Sequence, residues 1–339
     1  MKILIDSVYI HNGGGKELLE IILNQINQKG LKKHFFFLFD KRFNINHQLT
    51  NNIKFDIIAP SEIKRKIFYE SNKNKFKSYV CLSNVPPPIH IFQKVNIYFH
   101  NELFLKPFLN NLSFKNQLKL FLKKYYIIIK NKESYNWNVQ TDLMSNNLSK
   151  TLRINEKKIR VYPFYNDARA KKNLRVRNSF LYVSNSAEHK NHKRLFLAFQ
   201  EAASRTNEII QLGLTLNERD FINSPYSNKD ILSNLKIINY GVVEKIELSS
   251  IYSKSNFLIY PSLNESFGLP LIESINHGCY VIASDLKYVK QIVIPTLTFN
   301  PKSIKSIADS ILQSLNLKKL NKSKILVNNK IDSFINHIM

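Results

Sequence analysis

The sequence predicts an α/β protein of two domains, each built on a parallel sheet. Three observations carry that reading: the length, the recurrence of short apolar runs, and the helical spacing between them. At 339 residues the chain exceeds one ordinary domain of roughly 100–200 residues. Apolar runs fall at 2–10, 34–40, 55–60, 79–84, 95–100, 136–141 and 159–164, then at 179–185, 208–214, 236–241, 256–262, 280–285 and 296–300. Runs of this kind, without polar alternation, are strands covered on both faces. Between them, Lys16–Lys29 sets Leu18, Leu19, Ile22, Leu23 and Ile26 on one side. His192–Ala203 does the same with Leu195, Leu197, Ala198, Phe199 and Ala202. Strands alternating with helices imply right-handed crossovers and a parallel sheet.

The series runs twice. The break falls in Asn166–Asn178, which is polar, basic and without an apolar period, and is read as a linker. The expected domains are 1–168 and 169–320. Segment 314–339 is expected to be helical, with 321–339 crossing back to the first domain.

Composition excludes some functions and suggests others. Fifty Lys+Arg against 25 Asp+Glu give a net charge of +25. Such a field attracts phosphorylated substrates, anionic lipid or polyanions. Lys, Asn and Ile abound together, as in AT-rich coding sequences, so charge alone is weak evidence. The cations are mostly Lys, widely spread, with no recognition motif, which argues against nucleic acid as a partner. Cys81 and Cys279 form no disulfide framework or metal spacing, which suits a reducing compartment. The start, MKILIDSVYIHNGGG, does not read as a signal peptide, because Asp6 interrupts its apolar run. No run approaches the length of a membrane span. A cytoplasmic chain is expected, peripheral on the inner face of the membrane.

The most informative stretch is NFLIYPSLNESFGLPLIESINHGCYVIASD, 256–285. A buried strand ends at Pro261-Ser262, and a loop with Glu265 and Gly268 follows. Pro270 suits the first helical turn, where a missing N–H is no loss, and Gly278 suits the helix end. The loop lies at the carboxyl end of a parallel strand, where open α/β sheets bind ligands. Amides of Phe267, Gly268 and Leu269 at a helix start suit an anion. Glu273 can accept two hydroxyl hydrogen bonds, as an acid does on a ribose.

Glu265 and Glu273, with Ser266, Phe267, Gly268, Leu269 and Pro270 between them, resemble the signature of retaining glycosyltransferases of family 4. The resemblance implies the GT-B fold, two Rossmann-like domains facing a cleft. It assigns Glu273 to the ribose hydroxyls of a nucleotide-sugar donor and Glu265 to the donor sugar. In SFLYVSNSAEHKNHKRLFLAF, 179–199, Lys190 stands where the family places a Lys on the donor diphosphate. Asn185 occupies a position usually held by Arg, with His189, Lys193 and Arg194 as replacements for that cation. HNGGGKELLEII, 11–22, resembles the family's N-terminal glycine loop, which assigns Gly14 and Gly15 to the donor. In VNIYFHNELF, 95–104, His100 ends a strand, and the family often has a His near the donor sugar and acceptor hydroxyl. A histidine satisfied by backbone is the competing reading. LSNVPPP, 82–88, and NVQT, 138–141, resemble segments of bacterial surface-polysaccharide transferases. They add Asn84 and Thr141 to Asn101 and Glu102 on the acceptor side. Gly241 resembles a position near the donor base.

Two basic segments complete the reading. In 114–132, Phe114, Leu118, Phe121, Leu122 and Tyr125 interleave with Lys115, Lys119, Lys123 and Lys124. Segment 61–77 carries Lys64, Arg65, Lys66, Lys73, Lys75 and Lys77. A basic amphipathic helix beside a polybasic stretch suits an anionic membrane surface, and an ordinary domain helix with a solvated Lys face is the plain alternative. The expected activity is transfer of a sugar, with retention, from a UDP- or GDP-sugar to a saccharide hydroxyl. The acceptor is expected to be polyprenyl-diphosphate-linked, in bacterial O-antigen or capsule synthesis. No Asp-x-Asp motif stands out, so neither metal nor cofactor is expected. A sugar-nucleotide epimerase or a noncatalytic relative on the same fold is the alternative, and a glycosidase pair at Glu265 and Glu273 would leave the phosphate-binding features idle.

Overall fold

The computed structural model describes residues 1–105, 114–168, 174–227, 230–316 and 320–339. The chain forms two compact units, Met1–Asn166 with Asn328–Met339, and Asp167–Val327. Both are Rossmann-like parallel sheets with helices, the predicted fold class.

The first unit holds β1 (Lys2–Ser7), β2 (Phe35–Asp40), β3 (Lys54–Ile58), β4 (Phe76–Cys81), β5 (Lys94–Phe99), β6 (Asn136–Val139) and β7 (Ile159–Val161). They pair in the order β3-β2-β1-β4-β5-β6-β7. Its helices in this part of the chain are α1 (Gly13–Gln28), α2 (His47–Thr50), α3 (Glu62–Asn72), α4 (Phe114–Lys130) and α5 (Asp142–Leu152). Alternate strand residues enter two different cores. Leu4, Cys81, Ile97 and Trp137 lie in one; Ile3, Ile5, Val80 and Tyr98 lie in the other. Burial on both faces is why the strands read as unbroken apolar runs.

The second unit holds β8 (Val176–Tyr182), β9 (Ile210–Leu214), β10 (Leu235–Asn239), β11 (Ser255–Tyr260), β12 (Tyr280–Ser284), β13 (Val293–Ile294), β14 (Leu297–Phe299) and β15 (Lys324–Ile325). Its main sheet runs β10-β9-β8-β11-β12-β14, and β13 pairs antiparallel with β15. Its helices are α6 (His192–Ser204), α7 (Glu218–Ile222), α8 (Lys245–Lys254), α9 (Leu269–Asn276), α10 (Lys287–Ile292) and α11 (Ile304–Ser314). The last helix, α12 (Ile331–Ile338), belongs to the first unit and gives Ile331, Phe334, Ile335 and Ile338 to one of its cores.

Both sheets have a point where the winding direction reverses. In the first unit, β2 and β3 lie on one side of β1, while β4 to β7 lie on the other. In the second, β9 and β10 lie beyond β8, while β12 and β14 lie beyond β11. Loops leaving the carboxyl ends of β1 and β4, and of β8 and β11, therefore part from each other and leave a crevice.

Four expectations need correction. α1 starts at Gly13 instead of Lys16, so the glycines form its first turn. The linker reading fails at its end: Val176–Asn178 begin β8, and Arg175 donates to the carbonyls of Ser255 and His277. Residues 169–173 of that linker lie outside the described residues. The C-terminal helix covers only 331–338, because Lys324–Ile325 pair with β13 and Ser323 accepts from the Val281 amide; residues 317–319 lie outside the described residues. Arg65 is no surface cation. It is 0% exposed and ion-paired to Asp6 at 2.7 Å.

Candidate functional site

In the second unit, two loops meet at the reversal point. The first leaves β8 at Tyr182 and ends at Asn191, the N-cap of α6. Asn191 is left-handed (φ 64°), a conformation Asn tolerates better than most residues. Its buried amide nitrogen donates to the carbonyls of Pro261 (3.2 Å) and Pro301 (2.8 Å). The Leu263 amide donates to the His189 carbonyl at 2.8 Å, and the Tyr182 hydroxyl to the Lys190 carbonyl at 2.7 Å. This fastening fixes Lys190, whose Nζ lies 2.5 Å from Oε1 of Glu265, each side chain 13% exposed.

The second loop leaves β11 and ends at Gly268, the N-cap of α9. Gly268 has φ +82°, a left-handed conformation that favours glycine, and an added Cβ would stand 3.1 Å from Leu271 Cδ1. Phe267 is buried and anchors the turn. Ser266 precedes it half-buried, and Leu269 begins α9 with Pro270 behind it. Glu273 lies in the second turn of α9, where Tyr252 donates a hydrogen bond to Oε2 at 3.1 Å. Burial lowers the His189 pKa; Glu265 opposes that shift and Lys190 adds to it. His189 is therefore a neutral neighbour of the ion pair.

Asn185 serves its own loop: its Oδ1 accepts from the Ala187 amide at 3.2 Å. Lys193 is exposed, and Arg194 donates to Asn191 Oδ1 at 3.1 Å. Gly241 follows β10 with φ +75° and open space where a Cβ would be.

In the first unit, the structure joins Gly15, Asn84 and His100. A Cβ on Gly15 would stand 3.2 Å from His100 Cε1, so glycine lets the ring pack on the first turn of α1. Gly14 has open space around it. Asn84 Oδ1 accepts the His100 amide at 2.6 Å, and its Nδ2 lies 3.2 Å from Nε2 of the ring. The Leu82 carbonyl lies 2.9 Å from the same nitrogen. A carbonyl only accepts, so this contact favours the tautomer with the proton on Nε2. Burial pushes the His100 pKa down to about 4, against the opposing Leu82 and His100 carbonyls.

The remaining acceptor-side candidates have local duties. Asn101 Oδ1 accepts from the Leu103 amide (3.1 Å), and Thr141 Oγ1 caps α5 by accepting from the Met144 amide (3.1 Å). Glu102 is 2% exposed and accepts from Asn147 Nδ2 at 3.0 Å.

Behind this edge lies a charged network. Arg65 pairs with Asp6 and donates to the carbonyls of Pro86 (2.8 Å) and Val85 (3.2 Å), in the loop carrying Asn84. Glu62 accepts from Tyr9 (2.7 Å) and Tyr126 (2.5 Å). Tyr69 donates to Asp6 at 2.8 Å. Burial pushes the Cys81 thiol up to about 12, which makes it inert at neutral pH. Sequence reasoning missed Arg65, Asn191 and Tyr252. Only Asp6, charged and inside an apolar strand, signalled that a buried cation must answer it.

Two parallel sheets with crevices at their reversal points, one of them holding Lys190 and Glu265 beside a glycine-capped helix, define the class: this is the GT-B fold. Residues 165–331, a span containing the whole second unit, match the family described as glycosyl transferases group 1. The chain is 25% identical over 244 residues to O-antigen chain mannosyltransferase RfbU of Salmonella typhimurium, a match covering 69% of this chain and 64% of that protein. It is 33% identical over 76 residues to O-antigen chain mannosyltransferase B of Escherichia coli, covering 22% of this chain and 20% of that protein. Both matches thus span less than two thirds of these relatives. Among solved structures, Anabaena HepE in complex with UDP-glucose superimposes with a TM-score of 0.67 at 11% identity, covering 94% of this chain and 91% of that one. At that identity the likeness concerns the fold. No helix among the described residues is long and apolar enough to cross a membrane.

Proposed function

We propose that the chain is a glycosyltransferase that moves a sugar from a UDP- or GDP-sugar to a saccharide hydroxyl in bacterial surface-polysaccharide synthesis. One observation carries the reading: Lys190 and Glu265 are brought to 2.5 Å by two loops at the sheet's reversal point, beside the N-terminus of α9. The donor's diphosphate replaces Glu265 as the partner of Lys190, and Glu265 turns to the sugar. Glu273, steadied by Tyr252, takes the ribose hydroxyls. The bond from the anomeric carbon to the phosphate oxygen breaks, and its electron pair leaves with the diphosphate. The acceptor oxygen bonds to the anomeric carbon, and its proton passes to the departing phosphate. Lys190 and the amides of α9's first turn face the growing negative charge, a preorganised arrangement that needs no reorientation. Retention of configuration and independence from metal follow from the family 4 resemblance and belong to the proposal.

The acceptor is proposed to be lipid-linked, with the first unit docked on an anionic membrane. Support comes from α4, where Phe114 (81% exposed), Leu122 (58%) and Tyr125 (57%) stand among lysines, and from Ile63 (71%) beside Lys64 and Lys66 on α3. Exposed apolar side chains among cations match the headgroup boundary of anionic lipid. Flotation with phosphatidylglycerol vesicles tests it: the chain rises with the vesicles, and fails to when Phe114, Leu122 and Tyr125 are changed to Ser. For the activity, a thermal-shift series with UDP, GDP and ADP is decisive. One of them stabilises the chain strongly, since selective binding to the folded state raises its melting temperature. No stabilisation by any of the three contradicts the proposal.

A further inference from the structure

The first unit contains buried polar atoms without hydrogen-bond partners: His11 Nδ1, Ser83 Oγ and Gln140 Nε2. Ser83 is 5% exposed and Gln140 3%. A buried polar group left unpaired costs roughly 1–3 kcal/mol, so each instance calls for a reason. The other unpartnered atoms among the described residues, on Ser78, Asn96, Asn138 and Asn256, lie inside strands. These three do not. His11 lies in the loop after β1, Ser83 two residues past the end of β4, and Gln140 directly after β6. All lie at the carboxyl edge, where parallel sheets receive ligands.

Phe99 pairs with Val139 across β5 and β6, so His100 and Gln140 are the first residues beyond two neighbouring strand ends. Thr141 Oγ1 accepts from the Met144 amide in the cap of α5, and the Asn84 carboxamide is engaged with His100. Gln140 keeps a free donor.

We propose that Gln140 and Ser83, with His11, contact the saccharide substrate directly, and that Asn84 and Thr141 hold the surrounding backbone. This rests on the glycosyltransferase reading and names the residues that meet the sugar in the first unit. The chemistry matches. The three side chains offer hydrogen-bonding groups, and a sugar hydroxyl both donates and accepts. A carboxamide donor and a serine hydroxyl at this edge suit such a ligand better than an anion, which would ask for a cation beside them.

The test uses the physical signature of an unpaired buried group. Gln140→Met keeps the side chain's length and removes its polar atoms, and Ser83→Ala does the same on a smaller scale. Both variants should melt within about 2 °C of the parent or above it, because no internal hydrogen bond is lost. Saturation-transfer NMR with methyl α-mannopyranoside, methyl β-galactopyranoside and methyl α-glucopyranoside should show at least one bound by the full chain. Its affinity should fall about tenfold in Gln140→Met, the loss expected for one buried hydrogen bond. Thermal shift with the stabilising nucleoside diphosphate should be unchanged in both variants. A clear fall in melting temperature for both variants overturns the inference, since the groups would then be bonded within the fold. So does equal glycoside binding by parent and variants, or no binding of any glycoside by the parent. If the parent also ignores every nucleoside diphosphate, the glycosyltransferase reading itself has failed; if it binds one, only this inference has.

Discussion

The two units share one architecture and differ at their carboxyl edges. The second unit places opposite charges in its crevice: Lys190 and Glu265 touch, and Glu273 lies on the adjoining helix. The first unit places its charges behind the edge, where Asp6, Arg65 and Glu62 brace the loop of Asn84, and leaves neutral groups in front. Under the proposed function, the difference teaches how one fold would serve two ligands. A diphosphate needs a cation and helix amides held ready. A sugar needs neutral donors and acceptors on a stiff backing, and a buried ion network supplies stiffness without exposing charge.

The largest expected effect breaks the backing. Arg65→Met leaves Asp6 buried without its cation and frees the Val85 and Pro86 carbonyls. Removing one partner of a buried pair costs about 3–5 kcal/mol, to be read by urea unfolding. Lys66, exposed and weakly paired to Glu70 at 3.7 Å, is the control, and Lys66→Met should change stability by less than about 0.5 kcal/mol. Equal effects would show that Arg65 braces nothing.

A smaller effect tests the charged edge. Lys190→Ala should lower kcat about 100-fold, the usual loss for one group aimed at developing charge, with little change in folding. Steady-state kinetics with the donor identified by thermal shift gives the number. A kcat within threefold of the parent, taken as about 0.7 kcal/mol, would remove Lys190 from the mechanism.

The smallest concerns pH. The unfolded chain protonates His100 near the ordinary histidine value of 6.5, and the folded chain only near about 4. The unfolded state therefore binds more protons in that window, and stability falls as pH drops through it. His337 is also lowered to about 4, by burial first and then by Lys94 and Arg160, so comparison with a variant is needed. His100→Gln should lose less stability than the parent between pH 7 and 4.5 in thermal melts. An identical loss would mean that His100 is not held neutral by its surroundings.

Much of the fold was legible because strands buried on both faces leave unbroken apolar runs; all thirteen predicted runs overlap strands of the two main sheets. The β13–β15 pair was not legible, since two residues per strand form no pattern. Boundaries shifted where a local rule lost to packing. Gly13 opens α1 although glycine is a poor helix former, and Arg175 looked like linker until it met the end of α9. In the second unit, Glu265, Gly268 and Glu273 are close in sequence and could be read together. In the first, Arg65 meets Val85, and His100 meets Asn84 and Gly15, across long sequence separations that no spacing reveals. The unpaired state of Gln140 is visible only when its neighbours are.

The central claim is that the second unit grips a nucleoside diphosphate through Lys190 and Glu273. Isothermal titration of the stabilising nucleoside diphosphate into parent and Glu273→Ala tests it most directly. The account predicts one site in the parent and binding at least about tenfold weaker in the variant, in keeping with the loss of a charged hydrogen-bonding partner. Equal affinity in the two proteins would contradict it.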